Sequence, residues 1–459
     1  MPVATVLTQR TSLRRRAQAA DPPSLERQVR QLLADKISGN QVGLWLLLPE
    51  HLRLGTWDLL CGWSGTGPET VQPRLALQTI HEAALCTCNL RCGRTLSQKG
   101  FEVANGLPFV GSDQAIHDLF AAHTVAQAQS LQVALGKLRR VSGHFKGALL
   151  VLDPHRIKSY TQRQMRRHKS NGQVRPSKKA QTFFCLDAET FQPVAFTLAS
   201  GARTVSQATP ELLELARPVL GLEPGSQPRP LVLADAEHYT GDIFDQARAQ
   251  SFDLLVPMKS HRGQPARWRA LPEPSFARHW AGYALAQQSY RFGQHECVEL
   301  IQRSGERAAD YQFQGFVSTR QRDGLAQLTT AFPQRWHVEE FFKFNQALGW
   351  QRAGTLNLHI RYGQMTMALM AQAVIHQFRQ RIGAPYQSWD AAHMARALFS
   401  SLEGDVRVQD DTILVTYYNA PNAERLRQHY EGLPKKLEAD GIDPRLPWLY
   451  NFKLDFRFK

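Results

Sequence analysis

The sequence predicts an α/β chain. A mixed sheet lies in its middle, a mainly helical region precedes it, and a β-rich insertion follows the last strand of the core. Three observations carry this. Between Gly147 and Met258 the apolar runs follow the order β-β-β-α-β-α-β. Residues 1–140 repeat apolar side chains at helical spacing. Lys259–Thr330 alternates apolar and polar residues and is dense in aromatic rings. Three strands before the first helix exclude a plain doubly wound parallel sheet.

In order along the chain, Ser24–Ala34 reads as an amphipathic helix capped by Ser24, with Glu26 in its first turn. Thr79–Cys88 and Ser112–Leu138 also have helical spacing. Gly147–Asp153 (GALLVLD) is a short buried strand ending in a carboxylate. Gln181–Leu186 and Val194–Ala199 are strands joined by the turn-like Asp187–Thr190. Ser206–Leu220 is helical, Pro230–Asp235 (PLVLAD) is a second buried strand ending in a carboxylate, Asp242–Gln250 is helical and Asp253–Met258 is a strand. After the insertion, helical spacing resumes at Phe332–Leu348 and His359–Arg381. Val406–Tyr418 looks like a hairpin. The expected domains are 1–140, 145–375 with its insertion 259–330, and 376–459.

Composition narrows the function. A chain of 459 residues that is 43% hydrophobic and 21% charged is globular, neither disordered nor collagen-like. No stretch reaches the ~20 apolar residues of a membrane span, and Arg14-Arg15-Arg16 precede no apolar core of a secretion signal. Six cysteines are too few for a disulfide framework. The excess of 55 Lys and Arg over 40 Asp and Glu points to a polyanionic partner, most often nucleic acid.

The chemistry lies in three acids. Asp153 and Asp235 each close a buried strand, where α/β proteins place ligand sites, and a later helix carries Arg335-Trp-His-Val-Glu339-Glu340. Converging carboxylates repel one another, and a divalent cation with hard oxygen ligands, Mg²⁺ or Mn²⁺, removes that penalty. Two such ions about 4 Å apart activate a hydroxyl or water for phosphodiester displacement. Each residue also has a plainer role. An Asp at a strand end is commonly a turn or helix cap, and Arg335 with Glu339 at i,i+4 is a common surface ion pair.

The strand order, the two Asp and the helical Glu together resemble the RNase H-like catalytic domain of DDE transposases. The closer resemblance is to bacterial insertion-sequence transposases with a β-rich insertion between the second Asp and the Glu. Their signature is Tyr, two residues, Arg, three residues, Glu, six residues, Lys. Arg335 and Glu339 match it, Trp336 and Val338 stand at its apolar places, and Phe332 and Gln346 depart from it. The acids are 82 and 104 residues apart, which accommodates an inserted domain.

The resemblance implies an enzyme that cuts the ends of its element and joins them to target DNA. Asp153, Asp235 and Glu339 would be the catalytic metal ligands, with Arg335 and Lys343 on phosphates. His238 and Tyr239 would support the site, the helical first domain would recognise the terminal repeats, and the C-terminal segment would mediate assembly. Two Mg²⁺ (or Mn²⁺) ions, a homodimer in the DNA complex and a cytoplasmic, nucleoid-associated location in a bacterium are expected with it. A metal-dependent nuclease without strand transfer, and a DNA-binding relative with a dead site, stay open as alternatives.

Nine basic residues with no acid among them follow Asp153: Arg156, Lys158, Arg163, Arg166, Arg167, Lys169, Arg175, Lys178 and Lys179. Such a run is commonly a solvated face; leaving the strand of Asp153, it becomes a candidate DNA contact. In the insertion, Trp268 and Trp280 are candidates to stack on an unpaired base, although core packing is the commoner use of such rings. His81, Cys86, Cys88 and Cys92 have spacings unlike zinc knuckles and are set aside.

Overall fold

The computed structural model describes residues 21–39, 41–87, 98–159, 164–165, 167–168, 175–259, 261, 263–351, 355 and 357–459. The chain forms two compact units, Gly143–Phe341 and Met1–Ser142 with Phe342–Lys459.

The Gly143–Phe341 unit is built on a ten-stranded mixed sheet. Its strands are β1 (Leu149–Lys158), β2 (Arg167–His168), β3 (Ser177–Asp187), β4 (Pro193–Ser200), β5 (Leu231–Leu233), β6 (Asp253–Pro257), β7 (Phe276–Trp280), β8 (Tyr283–Phe292), β9 (His295–Ser304) and β10 (Gln312–Ser318). The order is β2-β3-β1-β5-β6-β10-β9-β8-β7, with β4 also paired to β3. Strands β1, β5 and β6 run parallel, and β3 runs antiparallel to both β1 and β4. The core sequence β4-β3-β1-β5-β6, three antiparallel strands leading into a parallel pair, is the RNase H-like arrangement expected from the order of elements.

Helix α1 (Val205–Leu220) packs on β3 and β4. It starts at a capping box between Thr204 and Gln207 and ends at Gly221 in the left-handed conformation. Helix α2 (Gly241–Ala249) follows β5. The insertion does not stand apart: β10 pairs antiparallel with β6 and extends the same sheet. The short helix α3 (Gln264–Arg269) lies against β10.

Local differences from the expected elements have physical causes. Strand β1 runs through Pro154 to Lys158, so Asp153 lies within it. Beyond Val151 it is paired on one side only, the condition under which a strand tolerates a residue without N–H. Phe332–Leu348 is not one helix. A π-turn at Gln327–Ala331 and a 3-10 turn at Phe332–Trp336 lead into helix α4 (His337–Asn345), and another 3-10 turn follows at Gln346–Leu348.

The second unit joins the two ends of the chain. Strand Ile37–Gly39 pairs with Gly404–Gln409 in a five-stranded sheet, so residues expected as separate first and last segments share one structure. Gly404–Gln409 and Thr412–Tyr417 form the expected hairpin. Helix Leu358–Ile382, expected with the catalytic sheet, packs on Val71–Ala84 and Val125–Val141. The first helix spans Pro22–Ala34 with Asp21, not Ser24, at its N-cap, and the expected Thr79–Cys88 helix is Val71–Ala84. The expected 112–138 helix is two, Asp113–Ala121 capped by Ser112 and Val125–Val141 started by a Thr124–Gln127 capping box. His81 is buried, with its ring on Asn105 and His51; Cys88 and Cys92 lie outside the described residues. No helix of the described residues is long and apolar enough to cross a membrane.

Candidate active site

Pairing of β1 with β5 ends at Val151 opposite Leu233. Asp153 and Asp235 each lie two residues further on, side by side just past the end of the parallel pairing, Asp153 within β1 and Asp235 after the last residue of β5. Both are half-buried. Asp235 takes the plainer role foreseen for it, capping the 3-10 turn Ala236–His238 through the Glu237 N–H (3.0 Å), and it also lies beside Asp153.

Glu339 approaches from α4, and packing around the strands aims that helix. Phe184 lies opposite Asp153 in the β1–β3 register. Its ring is 5.7 Å from Phe341, two residues past Glu339. Val338 and Phe341 are buried, while Glu339 and Glu340 face solvent. Burying two such side chains contributes about 1.5–3 kcal/mol each, enough to hold one face of a short helix down. The His337 Nδ1–H donates to the Ala188 carbonyl (2.6 Å), and the ring lies on Phe191 with centroids 4.4 Å apart.

The charges converge. Burial first, then the charge of Asp235 and more weakly that of Glu339, push the Asp153 carboxyl up to about 7, against the opposing pull of Arg335 and Arg156. Burial acts to raise Asp235 too. Hydrogen bonds from His238 and the Glu237 N–H, helped by the charges of His238 and Arg335, outweigh it and hold Asp235 below its ordinary range. The three acids and Arg335 therefore share one electrostatic field.

Among the described residues no three acidic, His or Cys side chains close into a ready ion cage. Asp235 is turned to its own turn and His238 instead. The donor set nonetheless fits a divalent cation: three hard carboxylates, one carrying an unrelieved charge penalty.

Arg335 does not take up the ion pair foreseen with Glu339 as its plainer role. Among the described residues the two form no such bridge, and the guanidinium lies 4.9 Å from the Trp336 ring centroid and 6.0 Å from that of Phe332. Trp336, expected at an apolar place, is 57% exposed. Lys343 is exposed one turn after Glu339.

Two supporting residues are buried and cannot touch DNA directly. His238 is 2% exposed, with Nδ1 2.8 Å from Asp235 Oδ1, and so orients the carboxylate. Tyr239 stacks on Phe292 (4.4 Å) and shares a hydrogen bond with the Tyr290 hydroxyl (2.8 Å), tying the loop after Asp235 to the insertion.

The basic run is divided. Arg156, Lys158, Arg167 and Arg175 are exposed and Lys178 is half-buried, whereas Lys179 is buried. Arg156 is bridged to Glu237 (2.6 Å), which offsets part of its charge. Arg163, Arg166 and Lys169 lie outside the described residues.

The two tryptophans also part ways. Trp268 is buried and donates Nε1–H to the fully buried Glu299 (2.8 Å), which Arg267 and Gln288 also bind; it is a core residue. Trp280 is 53% exposed, stacks on Tyr283 (4.3 Å, 10°), and with Arg278, Arg303 and Tyr311 lines a cavity of about 380 Å³.

Sequence reasoning missed Glu237, Tyr290 and His337. Each acts through a partner remote in the chain, and only the position of Glu237 beside Asp235 gave a local signal.

No curated protein matches the chain. Among solved structures, a piggyBac transposase synaptic complex with hairpin DNA, seen by cryo-EM, is similar at 10% identity over 77% of this chain and 79% of that one, with a TM-score of 0.42. The family model described as "Transposase DDE domain" matches residues 144–374, half of the chain and all of the site above. The chain therefore belongs to the DDE transposase family, enzymes that cleave and join DNA with the help of divalent metal ions.

Proposed function

We propose that this chain cuts the ends of an insertion sequence and joins them to target DNA, with Asp153, Asp235 and Glu339 as the ligands of two Mg²⁺ or Mn²⁺ ions. The observation that carries this is the charge penalty on Asp153, which comes from the two other acids of the motif as well as from burial. When bound, the ions supply a lowered pKa to the attacking water or 3′-hydroxyl and charge to the leaving oxygen. The protein's own groups do the rest. His238 holds Asp235 in one orientation, Arg335 presents a guanidinium to the scissile phosphate, and the exposed Arg156, Lys158, Arg167 and Lys178 track the backbone. Lys343 stands in for the Lys absent at Gln346. The Met1–Ser142 segment and the C-terminal residues that fold with it serve recognition of the terminal repeats and pairing of two copies, since both ends must be joined together.

The Trp280 cavity is the proposed contact for an unpaired base. Pro257, Phe316, Leu300 and Gln287 lie in one row across the sheet, and Asp235, like Pro257, comes two residues after the last pair, Leu233–Leu255. From Gln287, β8 continues four residues to Tyr283, about 13 Å past that row on the side of the acids. Four to five strand spacings of about 4.8 Å, combined with that rise, separate the cavity from Asp235 by roughly 23–27 Å. A base held there lies about seven to eight steps from the cut, at 3.4 Å per step.

A joining assay tests the proposal. Pre-nicked DNA carrying the element's own ends, incubated with the full chain, a target plasmid and Mg²⁺, yields joined product, and Glu339→Gln yields none. No joining of pre-nicked ends by a chain that still cuts intact ends would leave a nuclease.

A further inference from the structure

We infer that His337 is a positioning residue that sets the place of Glu339 against the two strand-borne acids. The inference rests on the proposal that Glu339 is a metal ligand.

The chain leading to Glu339 is not a stiff helix. A π-turn over Gln327–Ala331 and a 3-10 turn over Phe332–Trp336 interrupt the regular ladder immediately before α4. Such breaks do not transmit a fixed orientation from the preceding segment. The start of α4 must take its position from what it touches.

On the side of the sheet it touches the turn between β3 and β4. His337, the first residue of α4, donates through Nδ1 to the Ala188 carbonyl at 2.6 Å and lies against the Phe191 ring at 4.4 Å. Phe191 has a φ of 58°, so the turn presents its ring in a backbone conformation that bulky residues seldom adopt. This turn belongs to β3, the partner of β1 through Asp153. His337 thus ties the helix of Glu339 to the strand beside Asp153, two residues from the carboxylate it positions. The Phe341–Phe184 contact alone is non-directional and leaves the helix free to slide. The hydrogen bond supplies direction and register.

The test uses the full chain on DNA carrying the element's end, with Mn²⁺, comparing wild type, His337→Ala, His337→Asn and Phe191→Ala. Asn places an amide N–H where the imidazole Nδ1–H stands. A misplacement of about 1 Å at a reacting centre costs up to 10²-fold. His337→Ala should lower kcat about 10- to 100-fold with KM for DNA within twofold of wild type. His337→Asn should recover most of the loss, and Phe191→Ala should show a smaller loss in the same direction. Wild-type kcat in His337→Ala overturns the inference, as does a loss that Asn does not repair. Glu339→Gln in the same series separates the two levels. If it is inactive while His337→Ala is normal, only the inference fails. If it is itself active, the metal-site proposal falls and the inference with it.

Discussion

Asp153 should cost stability in proportion to its charge. Its carboxyl stands near 7 in the folded chain, against an ordinary value of 3.8, because burial and the neighbouring acids disfavour ionisation. Below pH 3.8 the group is neutral in both folded and unfolded chains and carries no penalty. Between 3.8 and 7 the unfolded chain gives up its proton and the folded one keeps it, so stability falls as pH rises. Above 7 the penalty is complete. At 1.36 kcal/mol per pH unit the ceiling is about 4 kcal/mol, and partial solvent access reduces the working figure to about 2 kcal/mol. Asp153→Asn removes the charge and keeps the shape. In metal-free buffer at pH 8 the variant should melt about 4–8 °C above wild type if the roughly 200-residue catalytic unit unfolds by itself. At pH 4 the two should melt together. Adding MgCl₂ at pH 8 should raise the wild-type midpoint and leave the variant nearly unchanged, because ion binding stabilises only the chain that holds the ligand. Equal midpoints at pH 8, or a variant less stable at both pH values, would refute the reasoning.

The two insertion tryptophans should behave oppositely. Trp268→Ala, which empties a buried site and strips a donor from Glu299, should cost about 3–5 kcal/mol in denaturant melts. Trp280→Ala should leave stability within about 0.5 kcal/mol yet weaken binding to DNA with an unpaired base by about 1–3 kcal/mol, read by fluorescence titration. At α4, Lys343→Ala should slow cleavage about tenfold, equivalent to 1.4 kcal/mol. Adding Gln346→Lys to that variant should restore the rate if a cation on this helix is what the phosphate needs.

Much of the catalytic unit was legible because its signals are local. Two apolar runs closing in Asp153 and Asp235, with helical spacing expected over Ser206–Leu220 and a helix found at Val205–Leu220 between them, announce strand and helix within a short stretch of chain. The Arg335 to Glu339 interval was legible for the same reason. What escaped depends on distant pairings. Nothing near Ile37 shows that it pairs with Val406. Helix Leu358–Ile382 is apolar enough to pack anywhere, and its main partners, Val71–Ala84 and Val125–Val141, lie more than 200 residues earlier in the chain. Trp268 and Trp280 are alike in composition and spacing. The buried carboxylate of Glu299, thirty-one residues beyond Trp268, draws one ring inward and leaves the other outside. His337 carried no signal, because its acceptor is a backbone carbonyl at residue 188.

The central claim is that three carboxylates, gathered from two strand ends and one helix, carry the cutting chemistry. Cleavage of DNA bearing the element's ends, in Mg²⁺ and in Mn²⁺, by wild type and by Asp235→Asn tests it most directly, with DNA binding measured alongside. The account predicts that Asp235→Asn binds the ends as wild type does and cuts at least 10³-fold more slowly, roughly the scale on which losing a catalytic group acts. Cutting at the wild-type rate would contradict it.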